Sequence, residues 1–265
     1  MKIIVSHDVD HISFREHWLK DLFAQKWLAK NTVAALTGKV SLALASKRLA
    51  AVFSPRLHRV PELMAFDREF GVPSTFFVGM ANVLSMSYSL QAATAMVRQI
   101  QNAGFAVGVH GVAYQDSSLI QQEYERFQVA SMLELPFGVR NHYLRFSPET
   151  PVLQAAAGYL FDSSEYGMKA PYRVNGLIEF PVCLMDSYLL SDCRNGLEDV
   201  KKRTLAAFQE GESLGLPYFT IIFHDVYFSE LFPEHQAWYR WLVQYIRDHY
   251  PLIDFARAIE KLKVS

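Results

Sequence analysis

The sequence has little cysteine, almost no net charge and no long apolar run. Its 265 residues include two cysteines, Cys183 and Cys193, and its formal net charge at pH 7 is −1. Two cysteines do not make a disulfide framework, so a reducing compartment is the simpler interpretation. A nearly neutral chain gives no global reason to expect nucleic acid as a partner. Because no ~18 uncharged apolar residues run together, we predict no membrane-spanning helix.

The start of the sequence also lacks the pattern of a signal peptide. The stretch MKIIVSHDVD has one lysine and a short apolar run before it becomes acidic, so we expect a cytoplasmic protein. Hydrophobic residues make up 51% of the chain and aromatic residues 14%, which is enough for a sizeable core. We predict a single α/β domain over residues 1–265, a common size for α/β barrels.

Short apolar runs alternate with longer amphipathic stretches along most of the chain. Runs that are nearly all apolar predict strands buried on both faces. The predicted strands are Lys2–Ser6, Ser74–Val78, Ala106–Val109, Phe137–Val139, Tyr159–Phe161, Leu177–Phe180 and Phe219–Phe223. Four of the predicted helices end at or near a glycine and are followed by a strand, which indicates a βα barrel or a doubly wound sheet.

Ionisable residues follow one predicted strand after another. The first strand runs into HDVDH, the third ends at His110, the fourth is followed by RNHYLR, the fifth by DSS, and the last by His224. Ligands of such folds bind at the carboxyl ends of the strands. Two aspartates, Asp8 and Asp10, together with histidines from other strands suit a divalent metal and a general base.

Each of these residues also has a structural interpretation. Asp8 and Asp10 could cap a following helix, although a cap needs only one aspartate and explains no histidine. His110 and His224 could be core histidines bonded to the backbone. Arg145 could belong to a structural ion pair, because a buried arginine needs a carboxylate partner.

Five motifs occur in a defined order: HDVD, STFFVG, GFAVGVHG, LRFSPET and TIIFHD. In that order they resemble the polysaccharide deacetylases, carbohydrate esterase family 4, with its NodB homology domain. The resemblance is remote, covers most of the chain, and is nearest to deacetylase-like proteins that accompany bacterial surface-polysaccharide genes. It implies a distorted (β/α)7 barrel and hydrolysis of N-acetyl groups on sugars with a divalent metal, usually zinc.

The resemblance also implies roles for individual residues. Asp8 would be the base, Asp10 and His110 metal ligands, His224 the general acid, and Arg145 the residue that orients the base. We further predict side chains that line the sugar pocket or face an anionic sugar. These are Arg140, His142, Asp162, Ser163 and, more weakly, Arg173.

One position departs from the family pattern, which has two metal histidines four residues apart. Tyr114 stands four residues after His110, and a neutral phenol with a pKa of ~10 is a poor zinc ligand. The third ligand could be a substitute, with His11 or His7 nearest in sequence, and we include His11 in the predicted ligand set. Otherwise the site holds a harder, more hydrated ion, or has lost its metal and binds sugar through residues such as Tyr114.

These alternatives leave three candidate functions. The first is a sugar N-deacetylase of surface-polysaccharide (O-antigen-like) biosynthesis, and the second a non-catalytic carbohydrate-binding protein on the same scaffold. A phosphoesterase would also use carboxylates and histidines, but it does not fit the order of the motifs.

The stretch from 11 to 61 interrupts the alternation of strands and helices and looks helical throughout. Acidic residues are absent from Leu22 to Pro61, where all seven charged side chains are lysine or arginine. We predict a basic helical insertion after the first strand. It forms either a lid on the barrel or a cationic amphipathic surface for an anionic membrane or a pathway protein.

Overall fold

The computed structural model describes residues 1–265 except 15, 17–21, 82–85, 87, 135–136, 191–195 and 265. Cys193 therefore lies outside the described residues. The strands are β1 (Lys2–Val9), β2 (Thr75–Val78), β3 (Ala106–Gly111), β4 (Gly138–Asn141), β5 (Phe161–Asp162), β6 (Tyr172–Val174), β7 (Leu177–Glu179), β8 (Val182–Met185) and β9 (Tyr218–Ile222). The α-helices are α1 (Phe23–Leu36), α2 (Leu42–Ala50), α3 (Val60–Phe70), α4 (Leu90–Asn102), α5 (Ser117–Ser131), α6 (Thr150–Ala157), α7 (Asp186–Leu189), α8 (Gly196–Ser213), α9 (Pro233–His249) and α10 (Phe255–Val264).

All nine strands belong to one sheet with the order β6-β7-β5-β4-β3-β2-β1-β9-β8. Every neighbouring pair is parallel except the hairpin β6–β7. The sheet curls into a half-barrel, and a bridge between Tyr166 and Val182 links the segment after β5 to edge strand β8. The α/β architecture and the distorted barrel predicted from the sequence are confirmed.

All seven predicted strands are present, but the sequence analysis missed β6 and β8. Both are three or four residues long and lie in a stretch interrupted by Pro171, Gly176 and Pro181. Prolines and glycines normally mark turns, and a run this short has no measurable periodicity. The boundaries of β1, β3, β4 and β5 were also wrong, because each of these strands extends into residues predicted to follow it.

Glycine ends the predicted helices as expected. Helix α3 ends at Gly71 and α6 at Gly158, each in the left-handed conformation with φ of 68° and 102°. Serine begins α4, where the Ser89 hydroxyl accepts a hydrogen bond from the Ala92 amide. These ends fix the entry and exit of the helices that cover the outer face of the sheet.

The interior of the barrel is layered along β1. Alternate side chains of a strand point to the same face, so Ile4, Ser6 and Asp8 share the inner face. Ile4 belongs to an apolar plug that includes Phe77 and, from α10, Phe255. The polar residues Ser6 and Asp8 lie above this plug, toward the carboxyl edge of the sheet.

Two helices, α1 and α2, lie between β1 and α3 and have a small core of their own. Phe14, Ala24, Val52 and Leu57 form this buried cluster. Lys47 pairs with Glu230, 2.6 Å away, and the Arg48 guanidinium donates to the Leu231 carbonyl. These contacts tie the helical pair to the segment between β9 and α9. Among the described residues, no helix is both long and apolar enough to span a bilayer.

Candidate active site

A cavity of about 250 Å³ opens at the carboxyl edge of the sheet, above the inner face of β1. Its ionisable lining residues are Asp8, Asp10, His11, His110, His142 and His224. The other lining residues include aromatic and aliphatic side chains from the segments after β4, β8 and β9. Parallel strands far apart in the sequence therefore deliver their ionisable residues to one cavity.

Asp10, His110 and His142 form the candidate metal centre. One ligand atom from each lies within 4.8 Å of the others. Asp10 Oδ1 is 3.0 Å from His110 Nε2 and 3.2 Å from His142 Nδ1, and the two imidazole nitrogens are 3.0 Å apart. This carboxylate and two imidazoles are the donor set of many zinc sites.

The hydrogen bond on the far side of His110 sets its tautomer. His110 Nδ1 is 3.0 Å from the Arg140 carbonyl, which can only accept, so Nδ1 carries the proton. The Nε2 lone pair then faces Asp10 and His142, and the three donors converge on one point. Such a group needs a cation or a proton between its members, so the residues present fit a divalent metal.

Electrostatics keeps Asp10 anionic. Burial raises the pKa of Asp10, but His142 and His110 outweigh it and hold the pKa well below its usual value. Burial lowers the pKa of His110, whereas Asp8 and Asp10 raise it, and the net shift is upward. A proton therefore competes with a metal for this position, as at metal sites in general.

A buried guanidinium, that of Arg140, holds Asp8. Arg140 Nη1 donates to Asp8 Oδ1 at 3.0 Å and to Ser6 Oγ at 2.8 Å, and Nε donates to the Ser163 carbonyl at 2.9 Å. The ring of Phe77 lies beneath it, 4.4 Å from the guanidinium carbon to the ring centroid. Burial raises the pKa of Asp8, but Arg140, His110 and His224 lower it by more. The pKa is therefore below its usual value, and Asp8 is ionised.

The sequence analysis assigned these arginines the wrong way round. Arg140, predicted in the sugar pocket, is fully buried and contacts Asp8, whereas Arg145, predicted to orient Asp8, is exposed and lies over the Tyr143 ring. The reason is the turn after β4, in which Tyr143 and Leu144 have positive φ angles of 60° and 50°. This turn directs the chain outward before Arg145.

His224 enters the cavity from the end of β9 and is held by Asp186. His224 Nδ1 is 2.7 Å from Asp186 Oδ1, and the His224 amide donates to Asp186 Oδ2 at 2.6 Å. Burial lowers the pKa of His224, but Asp186, Asp10 and Asp8 outweigh it and raise the pKa to about 10. The other ring nitrogen, Nε2, lies 3.8 Å from Asp10 Oδ2.

Sequence reasoning placed one of these residues in a different part of the site and missed another. His142, predicted in the sugar pocket, contributes the third ligand atom instead of His11, whose ring packs on Phe23 while lining the cavity. Asp186 was not predicted at all. The apolar run PVCL, followed by Met185 and Asp186, could have indicated a strand with an acidic residue at its carboxyl end. It was not assigned as a strand, because it is short and begins with a proline.

Besides Arg140, four predicted pocket residues do not line the cavity. Tyr114 is half-buried in the segment after β3, and its carbonyl accepts from the Thr150 hydroxyl. Arg173 is exposed on β6, and its guanidinium approaches the Leu262 carbonyl. Asp162 and Ser163 are fully buried instead of facing the cavity.

Asp162 belongs to a buried carboxyl pair with Glu179, its register partner on β7. Asp162 Oδ1 accepts from the Ser163 amide and the Ser164 hydroxyl, and Glu179 Oε1 accepts from the Glu165 amide. Burial raises the pKa of both carboxyl groups, and Asp162 raises that of Glu179 further. Glu179 is thus the protonated member of the pair.

His7, the other substitute ligand considered, points to the opposite face of β1. Its Nε2 is 2.8 Å from Asp67 Oδ2 and its Nδ1 is 2.8 Å from the Phe223 carbonyl. Asp67 also accepts from the Ser74 hydroxyl at 2.6 Å and from the Tyr239 hydroxyl at 2.8 Å. Alternation along β1 places His7 in this buried network rather than near the cavity.

Comparison with known proteins finds likeness in structure rather than in sequence. No protein-family model matches the chain, and no curated protein sequence matches it. A protein from Mycobacterium smegmatis named as a polysaccharide deacetylase has a TM-score of 0.66 at 19% identity, over 99% of this chain and 90% of that one.

Two further solved structures show the same likeness. PuuE allantoinase has a TM-score of 0.61 at 18% identity, over 97% of this chain and 87% of its own. A protein from Pseudomonas aeruginosa PAO1 named as a polysaccharide deacetylase has a TM-score of 0.58 at 17% identity, over 96% and 87%. The chain therefore has the NodB-type fold of the polysaccharide deacetylases, as the sequence motifs predict.

Proposed function

We propose that the protein is a metal-dependent hydrolase that removes N-acetyl groups from a sugar or polysaccharide precursor. The observation that carries the proposal is the content of the cavity. A carboxylate held by a buried arginine, a three-residue ligand cluster and a histidine held by a carboxylate line the same 250 Å³ space. Amide hydrolysis needs a base, an electrophile and an acid close to the same substrate bond.

The contacts of each residue indicate its role in the reaction. A divalent cation, with zinc as the best fit to Asp10, His110 and His142, supplies Lewis acidity when bound. Asp8 accepts the proton of the attacking water, and Arg140 fixes the orientation of its carboxylate. His224 donates a proton to the departing amine nitrogen, while Asp186 holds the ring by Nδ1 so that Nε2 faces the cavity.

The proposal includes a biological setting. The motif order resembles deacetylases that accompany bacterial surface-polysaccharide genes, and two of the compared structures are named as polysaccharide deacetylases. We therefore place the reaction in the biosynthesis of such a polysaccharide, in the cytoplasm. The alternative of a non-catalytic sugar-binding protein rested on the tyrosine at position 114. The position of His142, in the turn after β4, supports a third ligand atom from another part of the chain.

The test combines metal content with acetate release. Protein purified without chelator is expected to hold close to one divalent metal per chain and to release acetate from at least one member of a panel of N-acetylated glycans and sugar nucleotides. Asp8→Asn should abolish turnover and keep the metal. Loss of the metal in Asp8→Asn would instead make Asp8 a ligand.

Two further variants separate the candidate ligands. His142→Gln should lose most of the bound metal, because it removes one of three donors. His11→Gln is the matched control and should retain it. Wild-type protein with neither metal nor acetate release over the whole panel would contradict the enzymatic proposal and favour the carbohydrate-binding protein.

A further inference from the structure

Two buried serine hydroxyls contact Arg140 inside the barrel. Ser6 is two residues before Asp8 on the inner face of β1, and Ser163 directly follows β5. Arg140 Nη1 donates to Ser6 Oγ at 2.8 Å, and Arg140 Nη2 donates to Ser163 Oγ at 2.9 Å. The two hydroxyls therefore hold different nitrogens of one guanidinium group.

Each of these hydroxyls is oriented by a backbone carbonyl of the sheet. Ser6 Oγ donates to the Ile221 carbonyl at 2.9 Å, and Ser163 Oγ donates to the Phe180 carbonyl at 2.8 Å. A hydroxyl has a single proton, so once that proton is given to a carbonyl the oxygen presents its lone pairs to Arg140. The backbone of the sheet thus fixes the direction of both acceptors.

The backbone of Ser163 holds the guanidinium as well. Arg140 Nε donates to the Ser163 carbonyl at 2.9 Å, so this one residue accepts from both Nε and Nη2. The Ser163 amide in turn donates to the Val139 carbonyl at 3.1 Å and to Asp162 Oδ1 at 2.8 Å. Ser163 is therefore itself tied to two neighbouring strands, β4 and β5.

Arg140 contacts Asp8 through one nitrogen and one oxygen. Nη1 donates to Asp8 Oδ1 at 3.0 Å. Arginine–carboxylate pairs are frequently bidentate, with two parallel hydrogen bonds that engage both carboxylate oxygens. Here the serines occupy the other guanidinium nitrogens, and Asp8 lines the cavity where the water would attack.

We propose that Ser163 is a positioning residue that, together with Ser6, limits Arg140 to a one-oxygen contact with Asp8. The second carboxylate oxygen, Oδ2, then stays available to accept the proton of the attacking water. This role rests on the proposed function, in which Asp8 is the general base. A guanidinium that also bound Oδ2 would occupy the oxygen that has to take the proton.

Ser163→Ala tests the role of the hydroxyl, and Ser164→Ala is the matched control. Ser164 is also fully buried, and its hydroxyl likewise donates to one partner, Asp162 Oδ1, and accepts from another, the Asn141 amide. Its hydroxyl does not contact Arg140. We expect Ser163→Ala to lower kcat for acetate release by at least about tenfold, since a misplaced catalytic group can cost ~10²-fold, with KM within about twofold. Metal content should stay unchanged, and Ser164→Ala should keep kcat within about threefold of the wild type.

The geometry of Arg140 gives a second readout that does not depend on turnover. Crystal structures should show the one-oxygen contact in the wild type and a hydrogen bond from Arg140 to Asp8 Oδ2 in Ser163→Ala. Ser6→Ala removes the other hydroxyl and should lower kcat in the same way, so it replaces Ser163→Ala if that variant does not fold. Urea denaturation of each variant measures the folded fraction.

Three results would overturn this role of Ser163. They are an undiminished kcat in Ser163→Ala, equal losses in Ser163→Ala and Ser164→Ala, and an unchanged one-oxygen contact in the crystal structure of Ser163→Ala. Equal losses would indicate a general contribution of buried serines to the fold. A wild-type protein that releases no acetate would instead contradict the proposed function, and the crystal structures alone would then decide whether Ser163 controls the contact of Arg140 with Asp8.

Discussion

Two histidine–carboxylate pairs lie on opposite sides of the sheet, and their bond lengths are almost the same. His7 and Asp67 are 2.8 Å apart in the buried network, and His224 and Asp186 are 2.7 Å apart at the cavity. The difference is the second ring nitrogen. In His7 it contacts the Phe223 carbonyl, whereas in His224 it faces the cavity beside Asp10.

The comparison shows that the pair itself does not identify a catalytic histidine. A ring with both nitrogens bonded to acceptors fixes elements relative to each other and has no nitrogen left for a substrate. A ring held by one nitrogen is oriented and still has a donor available. We therefore expect the first pair to matter for stability and the second for turnover.

The largest effect is expected for His224→Gln. Removing a general acid costs roughly 10²–10⁴-fold in turnover, and the variant also leaves the buried Asp186 carboxylate without its cationic partner, so the free energy of unfolding should fall as well. Acetate release and chemical denaturation of the same preparation measure both. A turnover loss below tenfold would break the contrast between the pairs.

Asp67→Asn should lower stability and leave turnover almost unchanged. Breaking a buried ion pair by changing one partner costs about 3–5 kcal/mol, and the hydrogen bonds from Ser74 and Tyr239 to Asp67 would be disturbed as well. Urea denaturation should show this loss, while turnover per folded molecule stays within a few-fold of the wild type. If turnover fell as far as in His224→Gln, the buried network around Asp67 would also position the active-site residues, and its role would not be limited to stabilising the fold.

A third buried pair, Asp162 and Glu179, sharpens the comparison because it joins two carboxyl groups. Both pKa values are raised in the folded state, to about 6 for Asp162 and by more for Glu179. The folded protein therefore holds protons that the unfolded chain releases. Stability from this pair is complete below about pH 4 and falls as the pH rises through the folded pKa values, by at most ~1.4 kcal/mol per pH unit for each proton.

Glu179→Gln removes that dependence and keeps the shape of the side chain. The amide oxygen can still accept from the Glu165 amide, and the amide nitrogen can donate to Asp162. We expect the variant to lose less stability than the wild type between pH 5 and pH 8, as measured by urea denaturation across that range. Parallel pH curves for the two proteins would show that the pair does not share a proton.

The smallest effect is expected for Tyr114→Phe. Tyr114 does not line the cavity, and among the described residues only its backbone carbonyl is hydrogen-bonded. Turnover should change less than about twofold and the free energy of unfolding by less than ~0.5 kcal/mol. A tenfold fall in kcat/KM would return Tyr114 to the substrate site, where the sequence placed it.

The fold was predictable because its signals are local. Most of the buried strands contain an apolar run, and Gly71 and Gly158 mark helix ends by their backbone conformation alone. Residues at strand ends could therefore be grouped, and Asp8, Asp10, His110 and His224 do line one cavity.

The partners of those residues were not predictable for a geometric reason. Which arginine reaches Asp8 depends on the turn at Tyr143, and which histidine faces Asp10 depends on the reach of side chains from β3 and β4. The spacing of residues in the sequence predicts neither contact. Asp186 was missed because its strand, β8, directly follows Pro181 in a stretch interrupted by proline and glycine, which normally mark turns.

The pairing of β1 with β9 has a consequence for biosynthesis. His7 and Phe223, which are hydrogen-bonded, are 216 residues apart in the chain. At ribosomal rates of about 5–20 residues per second, the nascent β1 waits roughly 10–40 s for its neighbour. During that interval an apolar strand edge remains unpaired and open to association with other chains. His224 is the last histidine or aspartate of the cavity to be synthesised, so a nascent chain that has not reached it lacks the proposed general acid.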